Sequence, residues 1–322
     1  MGEWALKKIF IVGWALCLAW GQVWAWPDKP ITLVVTFPAG GSTDSIARAM
    51  APKMQARLGG SMVIDNRAGA TGTIAAASVK RSPADGHTLM VTSLGPLVIA
   101  PHLIKGVQYD ALKDFDPITI AVQAPNVLVV PANSPFKTLA DVVAQLKKTP
   151  NKVTFASSGN GSSDHLTAEL FWQHTLTSGL HIPYKGGAPA INDLLGSQVD
   201  ASFQNINAVL QHILAGKLRA LAVTSIKRSP VLPQVATLTE QGVAIEVTSW
   251  QAMVAPRGLP ADIKARIHGA AVEALQSPDV KDKLLALGFE VVANTPEQFA
   301  QFQAQEFARW KKVIELGKIT AD

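Results

Sequence analysis

The alternation of apolar and polar positions divides most of the chain into short β-branched runs separated by longer stretches of helical spacing. The runs predict strands over 31–36, 61–65, 88–92, 126–131, 152–156, 199–203 and 219–224. Between them, apolar residues recur at three- and four-residue intervals, as Ile46, Met50, Met54 and Leu58 do, which is the signature of a helix with one buried face. Strands that alternate with helices predict an α/β fold with largely parallel sheets. Two helix starts are explicit. Thr138-Leu139-Ala140-Asp141 reads as a capping box ahead of Val142, Val143 and Leu146. Thr295, with Pro296 as first helical residue and Gln298 closing the box, opens the last helix, whose stripe of Phe299, Phe302, Phe307, Trp310 and Ile314 reads as core packing. Pro52 breaks the pattern of the first helix and predicts a kink there.

The pattern fails at the start of the chain. Lys7 and Lys8 precede an apolar stretch from Ile9 to Trp20, followed by Val23-Trp24-Ala25. This reads as an export signal cleaved near Ala25. The apolar part is short for a membrane span of about 20 residues, which disfavours an uncleaved anchor. The alternative of a lipoprotein meets a poor context, Trp14-Ala15-Leu16 before Cys17. Loss of residues 1–25 leaves 297 of 322, enough for two domains. It also removes the sole cysteine, Cys17, so the expected mature protein has neither disulfide nor thiol chemistry. Export without disulfides suits a bacterial periplasm.

Beyond residue 25 there are 27 basic and 23 acidic residues, well dispersed, with Lys147-Lys148 among the longest basic runs. Such a solvated surface argues against nucleic-acid binding. The histidines show no metal-ligand spacing, and neither a G-x-S-x-G elbow nor a nucleotide P-loop is present. Ser158, Ser163, Asp164 and His165 are neighbours in sequence, which does not make a triad. His174, four residues after Leu170, is expected to pack. An exported α/β hydrolase is therefore the weakest of the function classes considered, and no cofactor is expected.

What remains is a set of glycine loops, each between a strand and a helix. Phe37-Pro38-Ala39-Gly40-Gly41-Ser42-Thr43-Asp44 is the first, Ser157-Ser158-Gly159-Asn160-Gly161-Ser162-Ser163 the second, and Tyr184-Lys185-Gly186-Gly187-Ala188-Pro189 the third. Ala68-Gly69-Ala70-Thr71-Gly72 is a weaker fourth. A helix N-terminus presents backbone N–H groups without intrahelical partners and a partial positive charge. Glycine lets that backbone approach a ligand, so such loops bind anions without a lysine or arginine. Each loop by itself is also an ordinary tight connection; together they favour a shared anionic ligand. Asp44 and Asp164 would repel a polyphosphate if they faced it, so a carboxylate fits better. Either aspartate has the plain alternative of stabilising its own helix. Val35-Thr36-Phe37 before the first loop and Val153-Thr154-Phe155 before the second echo each other, as two related lobes would. Ile118–Val127 and Val247–Pro256 read as crossings between those lobes.

At this point the chain resembles a known family. The marks are W-P-D-K-P-I-T-L-V-V, F-P-A-G-G-S-T-D, D-N-R-A-G-A-T-G-T-I, Y-D-A-L-K-D-F, A-S-S-G-N-G-S-S-D-H-L, Y-K-G-G-A-P-A, L-R-A-L-A-V-T-S-I-K-R-S-P and T-S-W-Q-A-M-V-A-P, in this order over the mature chain. They are similar to the Bug family of periplasmic solute receptors, the binding components of tripartite tricarboxylate transporters. The resemblance implies a two-lobed, type II-like Venus flytrap with two hinge crossings. Lobe 1 is expected over 26–123 and 250–322, with lobe 2 inserted over 124–249. It implies a non-enzymatic, monomeric receptor for a small carboxylate. Family ligands include amino-acid dicarboxylates, aliphatic di- and tricarboxylates, nicotinate-type acids and aromatic dicarboxylates. Its partners would be two membrane transporter subunits or, for a sensing receptor, a membrane kinase.

The family's clamp, partly water-mediated, carries onto Ala39, Gly40, Gly41, Ser42, Thr43 and Asp44 from one lobe. From the other it carries onto Ser158, Gly159, Asn160, Ser162, Ser163, His165, Tyr184, Lys185 and Gly186. Ser93, Gln204 and Asn205 complete the candidate set. Gln204 stands where the family commonly has an acid, and Gly187 where serine is frequent; the first departure leans towards a di-acid. Phe37, Trp172 and Trp250 are candidates to stack on an aromatic acid, with core packing as the alternative, strongest for Trp172.

Overall fold

The computed structural model describes residues 26–321. The segment read as an export signal, with its cleavage near Ala25, lies outside the described residues. β1 (Ile31–Val35) leads to α1 (Ser42–Leu58), β2 (Met62–Asn66), α2 (Thr73–Lys80) and β3 (Thr88–Ser93). A π-type turn at Gly95–Ile99 and the short α3 (Ala100–Leu103) precede β4 (Phe115–Pro131). Next come α4 (Leu139–Lys148), β5 (Thr154–Ser157), α5 (Ser163–Thr175), β6 (Leu180–Pro183) and α6 (Gly187–Leu195). β7 (Ala201–Asn205), α7 (Ile206–Leu214) and β8 (Leu218–Val223) follow. β9 (Thr248–Pro256), α8 (Ala261–Gln276), α9 (Pro278–Ala286), β10 (Glu290–Val291) and α10 (Pro296–Gly317) close the fold.

The strands run in the order β2-β1-β3-β9-β4-β7-β5-β6, with β8 and β10 also on β4. β1 is parallel to β2 and β3, and β5 is parallel to β6 and β7, as the alternation of strands and helices predicts. β4 is the joint. Its residues 115–125 pair with β9, and 126–131 pair with β7 and β8. The ladder to β9 shifts register between Pro117 and Thr119 and again between Ile120 and Val122, as a long strand bending from one lobe into the other requires. The return crossing continues from Val247, whose N–H donates to Thr224 O at 2.9 Å, into β9.

Several strands sit later than the sequence pattern places them: β5 and β7 each begin two residues on. Val153 and Val199 are apolar and buried, and count in the pattern as strand residues, although the ladders start beyond them. All of β6, β9 and β10 lack the β-branched runs that would announce a strand, whereas Ile118-Thr119-Ile120 in the first half of β4 falls in the stretch read as a crossing.

α1 continues through Pro52, which is exposed. The Arg48 carbonyl that loses its donor one turn earlier belongs to an exposed residue, so water can serve it. Both capping boxes form as read, at Thr138 with Asp141 and at Thr295 with Gln298. α10 buries Phe299, Trp310 and Ile314 and half-buries Phe302 and Phe307. It also bridges the lobes, since Gln173 Nε2 on α5 donates to Val313 O at 3.2 Å.

Candidate ligand-binding site

The first loop is built around one buried carboxylate. Asp44 is 2% exposed. Its Oδ2 accepts the Gly40 N–H at 2.8 Å and Arg48 Nε at 2.8 Å, and its Oδ1 accepts Asn66 Nδ2 at 3.0 Å. Asn66 also donates to the Phe37 carbonyl at 3.1 Å, so both ends of the loop are tied to β2. Burial opposes the charge on Asp44, but the bonds from Arg48, Gly40 and Asn66 outweigh it and hold the carboxyl below the usual aspartate range. Gly40 takes φ +82°, a left-handed conformation that the loop needs to turn its N–H back to Asp44. Ala39, Gly40 and Gly41 lie exposed at the loop's tip, while Thr43 is buried.

The second loop repeats the device. Asp164, 4% exposed, accepts the Ser158 N–H at 2.7 Å, Ser158 Oγ at 2.8 Å and Gln204 Nε2 at 3.2 Å. Gln204 also donates to Ser202 Oγ at 2.9 Å, so its amide protons serve the interior of the lobe. The third loop is laced to the second, because Tyr184 N donates to Ser157 O at 3.0 Å and Gly186 N to Ser158 O at 3.1 Å. Gly159 lies at φ +130°, and a Cβ there would stand 3.1 Å from the Tyr184 carbonyl, so only glycine allows this approach. The Tyr184 hydroxyl donates to Asp193 Oδ2 at 2.6 Å; burial and this bond push it up to about 12. Lys185 is exposed.

Two histidines brace the second loop from behind. Gly161 N donates to His165 Nδ1 at 3.0 Å, and His181 Nε2 shares a hydrogen bond of 2.6 Å with Ser157 Oγ. The rings stack at 3.7 Å, 5° from parallel. His165 Nε2 lies 3.6 Å from Glu169 Oε1. Burial, and then the charge of His165, push the His181 imidazole down to about 3.

The helix starts here differ from two others, while α2, α7, α8 and α9 likewise lack a side-chain cap bond. α4 and α10 have full capping boxes. α1 and α6 have glycine N-caps, Gly41 and Gly186, and no side-chain cap bond. At α5, Ser162 Oγ accepts only His165 N, at 3.4 Å, leaving the N–H groups of Ser163 and Asp164. First-turn donors therefore stay open at all three starts of the site.

Side-chain bonds draw these starts together. Asn207 Nδ2, at the start of α7, donates to Ser42 Oγ at 2.7 Å, from one lobe to the other. Its neighbour Asn205 donates to Ser163 Oγ at 3.2 Å and to Asn126 Oδ1. A Cβ on Gly187 would lie 3.3 Å from Ser158 Oγ. A Cβ on Gly161 would lie 2.2 Å from Leu103 Cδ2, so the second-lobe loop seats directly on α3 of the first lobe. Asn160 Nδ2 reaches Ala321 O at 3.3 Å, away from this cluster. Ser93 ends β3 nearby, its Oγ accepting Gly95 N at 3.3 Å.

Two expectations change, for Trp250 and His174, and for Trp172 the core alternative holds. Trp250 does not face a ligand: it is fully buried between Phe299 and Phe302, because even positions of β9 point to the α10 side. Trp172 is likewise core, edge-on to Phe155 at 5.3 Å. His174 is exposed and only its Nδ1 meets Leu170 O, at 3.2 Å, since α5 ends one residue later and no element covers that turn. Phe37, half-buried at the loop, is the one aromatic of the three at the site. Asn66, Asn126, His181 and Asn207 were missed; they stand outside glycine loops, and no spacing ties them to the helices they meet. Among the described residues no three histidine, cysteine, aspartate or glutamate side chains gather to hold a metal.

Two α/β lobes joined by crossing strands, with glycine loops facing across the junction, define a solute-binding receptor of the periplasmic type. The model of the tripartite tricarboxylate transporter family receptor matches residues 46–318, and the chain belongs to that family. It is similar to Protein BugT of Bordetella pertussis, at 40% identity over 291 residues, covering 90% of this chain and 89% of BugT. A structure of R. palustris Rpa4515 with adipate superposes with a TM-score of 0.84 at 35% identity, covering 92% of this chain and 99% of that one. MatC from Rhodopseudomonas palustris with bound malate gives 0.81 at 32% identity, covering 90% and 100%.

Proposed function

We propose that this protein is a periplasmic receptor that closes its two lobes on a small carboxylate and delivers it to two membrane subunits of a tripartite transporter. The carrying observation is the convergence of the α1, α5 and α6 starts, the first and last without a side-chain cap and α5 capped at a single N–H. Asp44 and Asp164 are turned back into their own loops and so leave the site without a facing anion. The clamp comprises the α1 start, with Ser42 and Thr43, and the α5 and α6 starts, with Ser163 and Gly187. The lobes divide as 26–123 with 250–322, and 124–249. Adipate and malate, bound to the two relatives, set the ligand class. Phe37 is the side chain available to cover a carbon chain or ring. Typical receptor affinities near micromolar correspond to about −8 kcal/mol, within reach of a few charge-assisted bonds.

The Ser157–His181 pair does not support hydrolysis. Ser157 is 1% exposed and its Oγ is already engaged with the Gly159 backbone. The testing experiment is a thermal-shift panel on ligand-stripped protein with aliphatic and aromatic carboxylates, phosphate and sugars. A ligand at a hundred times its dissociation constant adds about 2.7 kcal/mol, a rise of several degrees. Stabilisation by carboxylates only is expected, and stabilisation confined to phosphate or sugars would overturn the reading.

A further inference from the structure

Gln251 is an anomaly on the floor of the cleft. It lies on β9 opposite Ser93 on one side and Val122 on the other. It is 2% exposed, and its Oε1 has no hydrogen-bond partner among the described residues. A buried amide oxygen left in that state costs about 1–3 kcal/mol, so a position that keeps one needs a reason. Its direction is fixed by the pleat. Met253 and Ala255 alternate with it and belong to the core under α1 and α7, with Ile46, Met50, Ile206 and Val209. Trp250, Ala252 and Val254 point the other way. Gln251 therefore faces the side covered by α1 and α7, at the end of the sheet where both helices start.

A second orphan stands at one of those starts. Asn207 Oδ1 is buried without a partner, while its Nδ2 is committed to Ser42 Oγ. Turning either amide by 180° would exchange an orphan acceptor for an orphan donor and leave an unsatisfied atom in place. Two hydroxyls lie beside them, Ser42 and Ser93, each accepting a bond and retaining its own proton to give. The charged groups at the two loops are spent, Arg48 on Asp44 and Asp164 on Ser158 and Gln204.

We infer that Ser93, Asn207 and Gln251 form a neutral polar subsite that reads a hydroxyl group on the carbon chain of the bound acid. A hydroxyl suits this set because it donates to an amide oxygen and accepts from a serine. A second carboxylate would bring a charge that no cation there offsets. The subsite thus distinguishes hydroxy acids from their deoxy counterparts, and it rests on the carboxylate reading above.

The test is calorimetry on the ligand-stripped protein with matched pairs: succinate and malate, glutarate and 2-hydroxyglutarate, propionate and lactate. One hydrogen bond satisfied by ligand predicts that the hydroxy acid of at least one pair binds about three- to tenfold tighter. Gln251→Met and Asn207→Ala should each bring that ratio towards one; if the first variant fails to fold, the second carries the test. Equal affinities within every pair that binds would overturn the subsite and leave the carboxylate receptor standing, with water serving the Gln251 amide. A ratio untouched in both variants would do the same. Failure of every acid to bind, together with stabilisation confined to phosphate or sugars in the thermal-shift panel, would overturn both readings.

Discussion

Asp44 and Asp164 stand at the starts of α1 and α5, where a helix favours negative charge, and both spend their oxygens on their own loops. Their role is to fix glycine-rich backbone that would otherwise be costly to order. The two histidines behind the second loop do similar work, and His181 carries a pH dependence. His181 is held near 3, against about 6.5 in the unfolded chain. Between those values the unfolded chain binds a proton that the native protein does not. This contribution is complete above pH 6.5 and is lost progressively as pH falls towards 3, with a slope of at most about 1.4 kcal/mol per pH unit. Urea midpoints measured between pH 4 and 7.5 should fall on the acid side, and His181→Gln should show a shallower fall. At this scale the sequence identified the loop residues but not their braces. Nothing in the spacing of Ser157 and His181, or of Asn66 and Asp44, says that they touch.

Two helices of the fold begin differently from the three at the site. α4 and α10 start with threonine and a complete capping box, which are local devices, and both were legible from four consecutive residues. α1 and α6 start with glycine and leave their donors open, and α5 is capped at a single N–H. Thr295→Ala should therefore cost about 1 kcal/mol of stability and leave ligand affinity unchanged, because α10 starts away from the cleft. Ser162→Ala should weaken both, because the same hydroxyl that caps α5 also donates to the Gly159 carbonyl at 2.6 Å and shapes the loop. Thermal unfolding and calorimetry on the two variants separate these outcomes. The sheets were less legible than the helices. β9 is a central strand, but T-S-W-Q-A-M-V-A-P has no β-branched run, and its length and pairing come from the neighbours β3 and β4.

For the whole molecule, function depends on how the lobes meet. They touch where Asn207 bonds Ser42 and where Gly161 seats on Leu103. A ligand held between the lobes stabilises that arrangement only by its preference for it. Gly161→Val would place a branched side chain where a Cβ already falls 2.2 Å from Leu103, at φ +73°. Affinity should drop by about tenfold or more, by wedging the lobes apart, whereas the first-lobe core keeps its packing. Small-angle scattering should show the ligand-dependent compaction of the parent protein reduced in the variant. Retention of full affinity would mean that this contact has no part in closure.

The local units are legible along the chain: strand, glycine loop and helix in repeated order, the capping boxes, and the motifs that mark the receptor family. These are set by residues within one turn or one strand of each other, where propensity and periodicity act. Which polar groups are spent and which stay open follows from contacts between distant parts of the chain. Trp250 and Gln251 are adjacent on β9, yet the pleat sends one into the aromatic core and the other to the cleft floor. Asn207 meets Ser42 across 165 positions of chain. Whether a buried oxygen finds a partner depends on what the distant chain brings to it, and no local pattern encodes that.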